Sequence, residues 1–170
     1  MTGAMDPVAS TRTEAFLATS VGRFVCAWPV HLVRHVRLPM PLLNDAALPP
    51  FVDGALRIRR TLVPVLDLRR RWHQALEDRT TERIVLAVVE GFVLGIVVDR
   101  ELGVFSARTS ARPADVELPP GLPASESRAV IEIAPVAGAS VLQAVVIEPA
   151  ELLSADERAK LWASPEEPLS

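Results

Sequence analysis

The feature that most constrains the fold is a pair of apolar runs, Ile84–Val89 and Phe92–Val98, which meet at Glu90-Gly91. Each run has the length of a β-strand and is rich in Val, Ile and Leu. They predict a hairpin of two strands, Arg83–Glu90 and Phe92–Asp99. Because the runs are apolar at nearly every position, we expect both faces of these strands to be buried.

Other short apolar runs, separated by turn residues, bring the prediction to about eight to ten strands. The 15 prolines against eight glycines also favour β structure over long helices. Pro64 has no N–H to donate to a ladder, so we expect it at a strand edge or bulge. The pattern indicates an all-β barrel or sandwich with two or three attached helices. The further strands are predicted at Glu14–Ser20, Phe24–Trp28, within Leu56–Leu66, and at Gly103–Ala107, Arg128–Pro135 and Ser140–Ile147.

The clearest helix is predicted from Asp67 to about Leu76. Asp67 suits the N-cap position, and Leu68, Trp72 and Leu76 recur every four residues as an apolar stripe. A C-terminal helix is predicted over Leu152–Trp162.

The sequence allows two alternatives for the cap of this helix and two for the conformation of the segment Val30–Val36. Either Ser154 or Asp156 can cap the C-terminal helix. The segment Val30–Val36 fits a short helical turn or a strand, because its valines recur every three residues.

Six arginines within fifteen residues are the densest charge cluster in the chain. They predict one cationic face, but Trp72 is the single aromatic among them and the net charge is −3. Single-stranded nucleic acids are usually bound by stacking on several aromatics, so a solvated or protein-binding face is favoured over a nucleic-acid site. The six are Arg57, Arg59, Arg60, Arg69, Arg70 and Arg71.

Reactive groups are scarce and isolated. His31 and His35 have a spacing that suits a metal on a helix, but no third ligand is visible nearby. Cys26 lies among apolar residues of a predicted strand, and Asp67 and Asp99 are explained by capping and turns. No nucleophile motif or phosphate-binding loop is present. We therefore predict no catalytic site, no cofactor and no metal.

The chain contains no apolar run of about 18 residues and no N-terminal charged segment followed by a long apolar one. We therefore predict a cytoplasmic protein without direct membrane insertion.

Four segments, taken in order, give the chain a family resemblance. Val52–Arg69 resembles V-x-G-v-x-N-L-R-G-x-x-x-P-v-x-D-L-R, and Cys26–Val36 is similar to Y-A-L-P-L-x-x-V-x-E-V. Val93–Asp99 resembles V-G-l-v-V-D, and Val141–Leu153 resembles L-l-D-x-x-x-L-L. These are patterns of the CheW family, the coupling proteins of bacterial chemosensory arrays. The similarity runs from about Ala15 to Leu153.

The resemblance implies a mostly β fold of two intertwined five-stranded SH3-like β-barrels with a hydrophobic groove between them, a few short helices and a C-terminal helix. Residues 1–13 would be a disordered tail, 14–153 the CheW-like domain with its two barrel subdomains, and 154–170 the C-terminal helix and tail. Such proteins are adaptors without catalytic activity.

The resemblance also implies two partners. One is the regulatory domain of a CheA-like histidine kinase, for which no binding residues can be assigned. The other is the cytoplasmic tip of a methyl-accepting chemoreceptor. The receptor-binding positions carry over to Val33, His35, Gly54 and Arg59.

The chain departs from the family pattern at three positions of this surface. His35 stands where the pattern has glutamate, and Arg57 and Arg60 stand where it has asparagine and glycine. These changes leave open a divergent scaffold that no longer binds receptors in the standard way and serves a specialised pathway. A small β-barrel that binds nucleic acid is a third hypothesis, based on the arginines alone.

Overall fold

The fold is seen in a computed structural model that describes residues 12–44, 47–76, 80–123, 128–135, 138 and 140–162. Within these ranges the chain forms 11 β-strands and two short α-helices. In chain order the elements are β1 (Glu14–Val21), β2 (Phe24–Pro29), β3 (Val33–Arg37), β4 (Gly54–Ile58), β5 (Thr61–Asp67), α1 (Leu68–Arg71), β6 (Arg83–Val89), β7 (Phe92–Val98), β8 (Arg100–Ala107), β9 (Ser110–Ala111), β10 (Ala129–Ile133), β11 (Leu142–Val146) and α2 (Ala155–Trp162).

The strands form two sheets, and the chain passes from the first sheet to the second and back. The first has the order β8-β1-β2-β11-β10-β9, and the second has the order β3-β6-β7-β5-β4. A parallel pairing of β2 with β11 joins the two ends of the chain, while β5 pairs in parallel with β7. Since β9 has only two residues, each sheet has five full strands. The predicted fold class, mostly β with two SH3-like barrel subdomains, is confirmed.

The first sheet must curl, because its two outermost strands are neighbours in sequence. β8 ends at Ala107 and β9 begins at Ser110, so two residues connect opposite edges of the sheet. A link of that length reaches only about 10 Å.

A shared hydrophobic core lies between the sheets. Trp28 and Val145 of the first sheet and Val85, Leu94 and Ile96 of the second belong to one buried cluster. The opposite face of the second sheet carries its own buried cluster. Strands β6 and β7 are therefore buried on both faces, as their continuous apolar sequences predict. The second cluster consists of Leu56, Val63, Val65, Ile84, Leu86 and Val97.

The first helix is shorter than predicted. The carboxylate of Asp67 accepts a hydrogen bond from the backbone N–H of Arg69, which confirms the N-cap, but α1 ends after one turn at Arg71. Trp72 packs edge-on against Phe24 with ring centroids 5.7 Å apart, and the next residue, His73, has a φ of 57°. This left-handed residue ends the helix, so Leu76 is 41% exposed and the predicted stripe stops at Trp72.

The second helix also starts later than predicted. Pro149–Leu152 forms a 3₁₀ helix, and α2 begins at Ala155. Ser154 is the cap: its hydroxyl accepts from the N–H of Glu157, whose carboxylate accepts from the N–H of Ser154. No described helix has the length and hydropathy needed to cross a bilayer.

Two further local predictions concerned the conformation of Val30–Val36 and the place of Pro64 in its sheet. Val30–Leu32 is a 3₁₀ turn and β3 follows it, so Val30–Val36 contains both of the predicted alternatives. Pro64 lies in β5, an interior strand, so the edge prediction is wrong for it. Its missing N–H is tolerated because the parallel pairing of β5 with β7 begins one residue later, at Val65.

Candidate functional site

The structure brings two of the four predicted receptor-binding residues to one place. His35 and Arg59 both line an open cleft of about 800 Å³ on the second sheet. Val33 instead packs partly buried against the shared core, and Gly54 is fully buried in β4. Their roles as receptor contacts stay predictions.

Strand alternation explains the floor of the cleft. Ile58, Val63, Leu86 and Val93 come from four different strands and follow the period-two spacing of the buried cluster on that face. Val63 and Leu86 belong to both the cleft and the cluster. Residues from the two edge strands, β3 and β4, line the same cleft, so the sheet curves around it.

A bulge in β3 places two consecutive side chains in the cleft. The pairing of β3 with β6 shifts register between Val33 and His35, which leaves Arg34 as an extra residue. In a regular strand Arg34 and His35 would point to opposite faces, but a bulge turns the side chains locally. Both therefore line the cleft, together with Arg37 at the end of the strand.

The opposite wall is the tip of the β4–β5 hairpin. Ile58 pairs with Thr61, so Arg59 and Arg60 form a two-residue turn. Arg59 has a φ of 58°, in the left-handed region that favours glycine, whereas Arg60 does not have a positive φ. The family pattern has its glycine at position 60, so this turn differs from the one that the pattern implies. Arg57 and Arg59 line the cleft.

The charges of the cleft have no acidic partners in the part of the chain that the structure describes. We refer to it as the cationic cleft, defined by a rim of Arg34, His35, Arg37, Arg57 and Arg59 over the apolar floor of Ile58, Val63, Leu86 and Val93. None of the described residues that line it is acidic. Among the described residues, no carboxylate lies within ion-pair distance of the four rim arginines. The rim is thus strongly positive on a chain whose net charge is −3.

The arginines of α1 are in the opposite situation. Arg69 is 1% exposed, and its guanidinium binds three carboxylates: Asp67 and Glu82, at 3.0 and 2.9 Å, and Asp99, at 3.4 Å. Burial lowers the pKa of Arg69, but the hydrogen bonds and charges of Asp67 and Glu82 outweigh burial, so the pKa is raised. Arg69 is therefore charged, and it links α1 to the end of β5 at Asp67, to Glu82 just before β6 and to Asp99 just after β7.

The two neighbours of Arg69 are also matched by acids. Arg70 pairs with Asp53 at 3.3 Å, and Arg71 pairs with Glu157 of α2. The prediction that all six arginines form one cationic face is therefore wrong. Alternation and helix turns separate them into residues on α1 that are paired with acids and residues on the hairpin that have no acidic partner among those described.

Gly54 has an internal role in this structure. A Cβ atom placed on it would lie 2.7 Å from Cβ of Leu42 and 3.1 Å from the carbonyl oxygen of Leu43. Its φ of 152° also lies in the region that favours glycine. Gly54 thus allows the segment before β4 to pack closely against that strand.

The isolated Cys26 and Asp99 both have structural roles. Cys26 is buried, and burial raises the pKa of its thiol, which keeps it protonated and unreactive. Asp99 accepts hydrogen bonds from Arg69 and from the backbone N–H of Gly22, which fits the predicted turn role. In the part of the chain that the structure describes, no three His, Cys, Asp or Glu side chains are grouped to hold a metal.

Sequence reasoning missed Arg34 and Arg37 as parts of the site. A signal was present, since both flank His35 in the segment already identified by its family pattern. The bulge that turns Arg34 into the cleft leaves no trace in the sequence, because it depends on the pairing with β6.

Comparisons with known proteins agree with this architecture. The chain matches the family described as CheW-like domain over residues 15–155. Its fold is similar to the crystal structure of the scaffolding protein TtCheW from Thermoanaerobacter tengcongensis, with a TM-score of 0.67 and 15% sequence identity. That alignment covers 85% of this chain and 95% of the other. No curated protein sequence matches the chain. Because the family match extends over both sheets and the connections between them, the chain belongs to the CheW-like domain family.

Proposed function

We propose that this protein is a non-enzymatic adaptor that couples a chemoreceptor to a CheA-type histidine kinase in a cytoplasmic chemosensory array. The observation that carries the proposal is the CheW-like match over residues 15–155, nearly the whole described chain. The fold similarity to a scaffolding protein supports it.

The character of the site supports binding over catalysis. The cationic cleft combines positive side chains with an apolar floor, and the described residues that line it include no carboxylate and no thiol. Such a surface gains free energy by covering apolar area and pairing charges with a partner. Modest affinity is sufficient in an array, where many copies are held together.

A second candidate function is favoured by the same cleft. In a divergent scaffold, the family's receptor-facing surface would have been rebuilt for another partner. His35, Arg57 and the Arg59–Arg60 turn support this candidate. His35 removes the negative charge of the glutamate in the family pattern, and Arg57 adds a positive charge where the pattern has asparagine.

The test measures two interactions of the full chain in parallel. Titration calorimetry should show binding to the regulatory domain of the kinase, and a pull-down should show binding to the receptor's cytoplasmic tip. Arg59→Glu should weaken receptor binding and leave the melting temperature nearly unchanged, since Arg59 is exposed and has no partner among the described residues. No kinase binding at high micromolar concentration would count decisively against the adaptor. Kinase binding without receptor binding would favour the divergent scaffold.

A further inference from the structure

We propose that the cationic cleft is the docking site for an acidic segment of a partner protein that inserts an aliphatic side chain between the arginines. The inference rests on the proposed function, and it specifies the chemistry of the partner that the adaptor recognises. It follows from the charge, the floor and the shape of the cleft.

The charge of the cleft calls for an anionic occupant. Two arginines elsewhere in the chain, one exposed and one buried, are matched by an acid: Arg23 by Glu117 at 2.7 Å, and Arg128 by Glu151 at 2.6 Å. The four rim arginines have no such partner among the described residues, although they repel one another across one cleft. An arginine binds a carboxylate through two parallel hydrogen bonds, so the rim offers several positions for Asp or Glu.

The floor of the cleft determines what lies between those carboxylates. All four floor residues are apolar. Ile58 and Val93 are half-buried and expose apolar surface to the cleft, whereas Val63 and Leu86 are buried. An aliphatic side chain placed there would remove apolar surface from water on both partners. The volume of about 800 Å³ is large enough for a short peptide segment.

The same residues disfavour nucleic acid as the occupant. No Phe, Tyr or Trp is among the described residues lining the cleft, so bases lack the large stacking platform that single-strand binding sites usually provide. The net charge of −3 adds a repulsive field for a polyanion at long range. A short acidic protein segment avoids most of that repulsion and uses the apolar floor.

The turn at Arg59 is consistent with selection for binding. A non-glycine residue at a φ of 58° is strained, and glycine would relieve the strain. Arginine at this position keeps a positive charge on the rim at the expense of turn stability.

The experiment titrates the full ¹⁵N-labelled chain with three synthetic peptides and follows amide shifts by NMR. The first peptide has four glutamates around a central leucine. The second replaces the glutamates with lysine, and the third replaces the leucine with serine. We expect the first to shift the amides of His35, Thr61 and Val93, the second to cause no shifts, and the third to bind at least five-fold more weakly.

Two variants test the residues directly. Arg57→Glu should weaken binding of the acidic peptide at least ten-fold, because it replaces attraction by repulsion. Arg100→Glu is the matched control: Arg100 is exposed on β8 of the other sheet and should change the affinity less than two-fold. Equal effects of the two variants, or equal binding of the glutamate and lysine peptides, would overturn the proposal.

Further measurements test whether another kind of molecule occupies the cleft. Displacement of the peptide by equimolar inorganic phosphate or by a single-stranded DNA oligonucleotide would assign the cleft to another kind of anion and overturn the proposal. Concentration-dependent dimerisation that Arg57→Glu abolishes would assign it to a second copy, with the same consequence.

The parallel binding measurements separate this inference from the proposed function. If the kinase domain and receptor bind but the acidic peptide does not, the adaptor stands and the docking site is wrong. If the peptide binds in the cleft while neither partner does, the docking site stands and the chemosensory role is wrong.

Discussion

The two arginine groups of this protein have the same side chain and opposite functions. Arg69 is enclosed by three carboxylates, whereas Arg57 and Arg59, ten or more residues earlier, have none among the residues that the structure describes. The first group holds α1 against the strands and the second makes an unmatched charge on the surface. The partners of an arginine, rather than the density of arginines in the sequence, therefore decide whether it stabilises the fold or remains available for binding.

The substitution expected to change stability most is Arg69→Met. The substitution leaves Asp67, Glu82 and Asp99 partly buried without their cation, so we expect the free energy of unfolding to fall by about 3 kcal/mol. Urea denaturation followed by tryptophan fluorescence measures it. Arg70→Met is the matched control: Arg70 is 69% exposed in its ion pair, and the loss should be below about 1 kcal/mol. Similar losses of stability in the two variants would contradict the distinction between the buried and the exposed ion pairs.

A smaller effect on stability is expected for the ion pair that joins Arg71 of α1 to Glu157 of α2. Burial raises the pKa of Glu157, but hydrogen bonds from Arg71 and Ser154 outweigh it, so the pKa is held below its usual value of 4.5. The ionised carboxylate thus stabilises the folded state above pH 4.5, and this contribution is lost as the pH falls through the lowered pKa.

Glu157→Gln should therefore lower the free energy of unfolding by about 1 kcal/mol at pH 7. The difference from the unsubstituted protein should shrink as the pH falls below 4.5, which denaturation at pH 7, 5 and 3 can follow. A difference in the free energy of unfolding that grows as the pH falls would contradict a stabilising ion pair between Arg71 and Glu157.

The smallest expected effect has the opposite sign. Arg59→Gly removes the strain of a left-handed arginine, partly offset by the greater entropy of glycine in the unfolded chain, and should raise the free energy of unfolding by about 0.5–1 kcal/mol. The same variant should weaken binding of the acidic peptide. Arg57→Ala is the control, with weaker binding and a stability change within about 0.5 kcal/mol. A stability loss in Arg59→Gly would mean that Arg59 belongs with the structural arginines.

Much of the fold could be predicted from local patterns. The hairpin of β6 and β7 followed from two continuous apolar runs, and the cap at Asp67 followed from a carboxylate before an apolar stripe. The end of α1 could not be predicted, because the stripe continues to Leu76 while Trp72 is held by its packing against Phe24.

The candidate site was only partly predictable. His35 and Arg59 came from the family pattern, and the structure places both in the cationic cleft. Arg34 and Arg37 were missed, because their position depends on a register shift against β6 that no residue in β3 announces. Conversely, Gly54 is explained by close packing against Leu42, which its sequence context did not reveal.

The order and spacing of neighbouring side chains were sufficient to predict most of the strands, the absence of a catalytic motif and the family resemblance. Which arginines are matched by acids could be seen only in the folded chain. Strand pairing brings together residues that are distant in sequence, such as Arg69 with Asp99 and Arg34 with Arg57, and whether such a pair attracts or repels depends on the distance between the charges in space.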